Sequence, residues 1–243
     1  MNEFIKKPAL IQKIESSKST PVVVDDFKDS NTLDILIAIK TKCYSDQDSC
    51  HPKLFKDGKP RGLTATPNNE IKSQLDSLLK KKLSKHLGSE NSFEVEYAFH
   101  RNYFPYGIHT DSGYDPNEKI YRQGIIPLEV YPSDKSVYTV IFDQKVYHSI
   151  GFTREDSIFK QSGGEFIVND YSSAQDAKIL NEEKHLWQGQ LAWLEELSVS
   201  LAFEWRVGQM AIWDRSHLHC SSDFKTSGVE YKLGLMWISK LIS

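Results

Sequence analysis

The sequence predicts an α+β chain. Helices fill its first third, and a sandwich or jelly roll of short strands follows residue 92. Two observations carry this reading. Residues 70–87 hold one apolar stripe at helical spacing, and after residue 92 short alternating segments rich in Phe, Tyr and Val follow one another between turn signals. A length of 243 residues suits a single domain over 1–243 and is enough to bury a sizeable core.

The elements follow in order. "TPVVVDDF", residues 20–27, is a β-branched strand ending in a turn. Ser30 or Asn31 caps a helix through "TLDILIAIKTKCY". Residues 45–69 are rich in Pro, Gly, Asp and Ser and predict a long loop, of the kind that often serves as a lid. The clearest helix is 70–87, with Ile71, Leu75, Leu78, Leu79 and Leu83 on one face and Gly88 ending it. Its Lys80, Lys81, Lys82 and Lys85 form the solvated side of that helix. Strands are expected in "SFEVEYAFHRNYFPYGIHTDSGY", "IIPLEVYP" and "SVYTVIFDQKVYHS". Residues 152–190 are irregular and predict an insertion, with a short helix over 186–197, and strands return to the C-terminus.

Charge and composition exclude several roles. The formal net charge is −3, so no global basic field draws nucleic acid or anionic membrane. Apolar runs near "LDILIAI" are too short to span a bilayer, and the N-terminus lacks the apolar core of a signal peptide. Three cysteines, Cys43, Cys50 and Cys220, make an odd count that argues for reduced thiols and a cytoplasmic setting.

The chemistry-bearing residues lie late in the chain. In an extended strand His109 and Asp111 project to one face and can reach one ion together. Two histidines and a carboxylate, with open positions opposite, form the facial triad of non-haem Fe(II) sites. "GQMAIWDRSHLHCSS" offers His217 and His219 as the third ligand. Small residues follow His219, leaving space beside a metal, whereas His217 is expected at the mouth or on substrate. Thirteen residues beyond His219, Lys232 opens the apolar strand "YKLGLMWIS". A lysine there either reaches solvent or meets an anion inside the site.

With these residues in place the chain resembles the Fe(II)/2-oxoglutarate-dependent dioxygenase superfamily. His109-Thr110-Asp111, the distal His219 and the basic Lys232 match its pattern, "NYFPYG" resembles the approach to the metal motif in the prolyl-hydroxylase and phytanoyl-dioxygenase branches, and "VVVDDF" resembles an opening strand. The stretch between Asp111 and His219 is longer than the pattern expects, and HLH stands where one His is usual. The resemblance implies a double-stranded β-helix with N-terminal helices packed on one sheet. It implies Fe(II) held by His109, Asp111 and His219, with 2-oxoglutarate as cosubstrate held by Lys232 and Tyr103. Molecular oxygen would then hydroxylate a small molecule (an amino acid or acyl derivative) or a peptidyl residue, with succinate and CO2 as co-products. Asp111 separates this outcome from related halogenases, which carry a small residue there. Arg215, Arg101, Trp213, Trp237 and His217 are candidate substrate contacts, and Arg215 has the fork to grip a carboxylate. The rival reading is a cupin-like isomerase or metal-binding module, which has no need of Lys232.

Overall fold

A computed structural model describes residues 20–25, 27, 29–46, 50–56, 59–106, 109, 120–147, 165–167 and 199–242. Asp111, the 152–190 insertion (apart from its 165–167 strand) and the helix over 186–197 lie outside these residues. The described elements are β1 (Val22–Val24), α1 (Ser30–Ser45), β2 (Cys50–Lys56), β3 (Lys59–Ala65), α2 (Asn69–Leu87), β4 (Phe93–Asn102), β5 (Ile120–Tyr131), β6 (Tyr138–Tyr147), β7 (Glu165–Ile167), β8 (Val199–Glu204), β9 (Met210–Asp214), β10 (His217–Ser221) and β11 (Tyr231–Leu241).

The strands form two antiparallel sheets. The larger has the order β1-β9-β5-β11-β4-β3-β2. In the smaller, β6 pairs with β10 along one side and with β7 and β8 along the other. Period-2 alternation divides each strand between two cores. In β4, Phe93, Val95, Tyr97 and Phe99 join Leu36 and Ile39 of α1 and Leu75, Leu79, Leu83 and Leu87 of α2 in one apolar cluster. On the other face of the same sheet, Ile125, Ala211 and Trp213 pack against Ile141 and Phe203 of the smaller sheet. The helices therefore cover one side of the large sheet, and the small sheet covers part of the other.

Helix ends follow the sequence closely. Asn68 caps α2 by accepting from the Ile71 amide at 3.0 Å, and Gly88, at φ +113°, ends it. For α1 the cap is Asp29 rather than Ser30 or Asn31. Its carboxylate accepts from the Thr32 amide at 2.8 Å and from Lys82 of α2 at 2.8 Å, which fastens the two helices together. These partners hold the Asp29 carboxyl far below the usual carboxylate range. The three cysteines are all free thiols, as expected.

The expected loop over 45–69 is overturned. It contains β2 and β3, paired from Cys50↔Ala65 to Lys56↔Lys59. In the sequence Asp57-Gly58 falls between the two strands, and Asp-Gly at such a place is itself a hairpin signal. The prolines misled because they sit where they cost little: Pro52 is on the edge strand, and Pro60 precedes the part of β3 that pairs with β4, which begins at Gly62.

Candidate metal and anion site

His219 lies in the middle of β10, and His109 is clamped beside it. Each backbone N–H donates to the other's carbonyl, both at 2.9 Å. Residues exchanging both bonds stand directly opposite, so their side chains leave the same face. The imidazole centroids are 4.5 Å apart. The His219 Nδ1 lies 3.1 Å from the His217 carbonyl. A carbonyl only accepts, so Nδ1 is the donor of this contact, which fixes the ring's orientation. The Trp213 ring stands edge-on to His219 at 5.3 Å, and Tyr106 lies 5.8 Å from His109.

These histidines line a cleft between the sheets, shared with Asn102, Thr139, Trp205, Trp213 and Lys232. Lys232 reaches the cleft from the large sheet, in register between Asn102 of β4 and Val130 of β5. It does not reach solvent, being only 2% exposed. Its ammonium sits 4.1 Å from the centroid of Trp205 and 5.6 Å from that of Phe224. Among the described residues no carboxylate pairs with it. Burial drives its pKa down to about 7, with the Cys220 thiol opposing the shift. His109 and His219 alone do not complete a cation site: among the described residues no three His, Cys, Asp or Glu side chains converge.

Strand parity sorts the other predicted residues. On β4 the cleft face carries His100 and Asn102, so Arg101 points to the helix side. There its guanidinium lies 4.9 Å from the Tyr44 ring and 5.2 Å from the Tyr231 ring. Tyr103 shares that side, edge-on to Tyr231 at 6.3 Å, and does not line the cleft. Trp237 lies five residues from Lys232 on β11 and so faces the helices, where its indole N–H donates to Met210 Sδ at 3.2 Å. Trp213 does line the cleft, and Arg215 does not.

His217 is not at the mouth. It is buried, with Nδ1 2.6 Å from the Phe142 carbonyl. A register shift against β6 falls between His217 and His219, breaking the alternation that would give both one environment. Sequence reasoning missed Tyr106, Asn102, Thr139 and Trp205. The parity of β4 marks Asn102, since it is two residues beyond His100 and opposite Lys232. Tyr106 was within reach in "NYFPYG", where Tyr103 drew attention instead.

No family model matches the chain, and no curated protein matches it by sequence. Solved structures do match. The epimerase SnoN, in complex with Fe3+, alpha-ketoglutarate and nogalamycin RO, superposes with a TM-score of 0.55 at 9% identity, over 92% of this chain and 80% of that one. This chain has the fold of the Fe(II)/2-oxoglutarate-dependent oxygenases. A second such structure is SnoK, a non-haem alpha-ketoglutarate-dependent carbocyclase from nogalamycin biosynthesis, at a TM-score of 0.52 and 11% identity over 92% and 80% of the two chains. Among the described residues no helix is long and apolar enough to cross a membrane.

Proposed function

We propose that this oxygenase-fold chain is itself an Fe(II)- and 2-oxoglutarate-dependent oxygenase built on a double-stranded β-helix. The observation that carries this is Lys232. An ammonium buried without a carboxylate partner is strongly disfavoured unless an anion completes its surroundings. It shares one cleft with two histidines fixed side by side. A metal ligand set and a carboxylate receptor in one cleft suit a metal-bound 2-oxo acid with a second carboxylate.

In this reading His109, Asp111 and His219 hold Fe(II), and Lys232 takes the far carboxylate of 2-oxoglutarate. Such a charge-assisted contact contributes about 1.5–3 kcal/mol. Together, bound iron and 2-oxoglutarate supply an oxidising equivalent from molecular oxygen, releasing succinate and CO2. The protein's part is to orient and to exclude water. The His217 carbonyl orients the His219 ring, and Trp213 walls the cleft beside that ring. Thr139 and Asn102 add polar groups near the anion end. The fold carries epimerase and carbocyclase chemistry in SnoN and SnoK. For this chain the carboxylate Asp111 favours hydroxylation, of a small molecule or a peptidyl residue.

Ligand variants test the assignment. His219→Ala and Asp111→Ala are expected to abolish Fe(II)-dependent turnover of 2-oxoglutarate, whereas His217→Gln keeps it. Loss in His217→Gln with retention in His219→Ala would reverse the choice of ligand.

A further inference from the structure

We infer that Trp205 is a positioning residue of the anion site, its indole face holding the Lys232 ammonium in place to meet the far carboxylate of a 2-oxo dicarboxylic acid. This rests on the reading of Lys232 given above. Trp205 is fixed by two hydrogen bonds. Its backbone N–H donates to the Val137 carbonyl at 2.8 Å, and its indole N–H donates to Thr139 Oγ1 at 2.8 Å. Across the cleft Gly234 leaves it room: a Cβ there would come within 3.2 Å of the far edge of the Trp205 ring. A ring held this way presents its π face at one place, and Lys232 Nζ lies 4.1 Å from its centroid.

An aromatic face suits this role better than an acid. A carboxylate beside Lys232 would hold the charge but compete with an incoming anion. An indole quadrupole stabilises the ammonium from one side and leaves its N–H groups directed elsewhere for a ligand. Phe224, at 5.6 Å, adds a weaker second face. Among the described residues, the other titratable groups that line the cleft are Cys220, Tyr106, His100, His109 and His219, with no Asp or Glu to oppose an anion.

The test compares two ligands on anaerobic, Fe(II)-loaded protein by calorimetry. 2-Oxoglutarate carries the far carboxylate, and 2-oxovalerate is the same five-carbon chain without it. Trp205→Phe is expected to weaken 2-oxoglutarate binding severalfold, and Trp205→Leu by about 10-fold. 2-Oxovalerate affinity should change less than about twofold in both, showing an intact cleft. In turnover, KM for 2-oxoglutarate rises while kcat at saturation holds. Equal losses for both acids would reduce Trp205 to a core residue and overturn the inference, as would no loss for either. Lys232→Met separates the two levels: unchanged 2-oxoglutarate affinity in that variant overturns the anion-site reading itself.

Discussion

At the scale of single residues, Lys232 sets stability against binding. Its pKa of about 7 in the folded chain lies below the ordinary value of 10.5. Between those values the unfolded chain holds a proton that the folded chain lacks, so this residue's contribution to stability rises with pH across that window. Below pH 7 the burial cost is present in full. Lys232→Met should therefore stabilise the fold by about 1–3 kcal/mol at pH 7, read by denaturant unfolding, and remove that slope. The same variant should lose 2-oxoglutarate affinity. On the proposed reading of Lys232, the ammonium is the form that binds. Affinity should fall as pH rises from about 7 to 9, with a proton taken up on binding, measurable by calorimetry in buffers of different ionisation heat. Residue type and spacing singled out His219 and Lys232 in the sequence, and both line the one cleft. The roles given to Arg101, Tyr103 and Trp237 were not borne out, since they lie on the opposite faces of β4 and β11 from His100 and Lys232. Counting parity from Lys232 would have excluded Trp237.

At the scale of elements, the helices and most strands could be read from local pattern. The α2 stripe needed only helical spacing, and β4 only alternation. The β2–β3 hairpin was hidden because prolines, tolerated at an edge, resemble loop punctuation. The register shift in β10 was invisible, because it arises from pairing with β6 rather than from β10's own sequence. Central-strand packing offers a direct test. Gly124 of β5 pairs with Trp237, and a Cβ there would sit 2.5 Å from the Ala211 carbonyl and 2.6 Å from the indole. Gly124→Ala should destabilise by about 2–4 kcal/mol, seen as a lowered denaturation midpoint. Asn68→Ala, which removes only the α2 cap, should cost about 1 kcal/mol.

At the scale of the whole molecule, the large sheet separates two jobs. Its helix side is a continuous apolar core, and its other side, facing the small sheet, holds the cleft. This division explains how a buried lysine is tolerated: the helix-side core stabilises the domain, and the cleft side is free to carry polar groups. Coupling between site and fold follows. Fe(II) with saturating 2-oxoglutarate should raise the melting temperature by mass action, about 2.7 kcal/mol at a hundredfold excess over Kd, and Lys232→Met should lose most of the 2-oxoglutarate increment. The most direct measurement is anaerobic addition of Fe(II) and 2-oxoglutarate, followed by oxygen. A visible metal-to-ligand charge-transfer band is expected, and succinate once oxygen is admitted. Fe(II) binding with neither band nor succinate would contradict the proposed function.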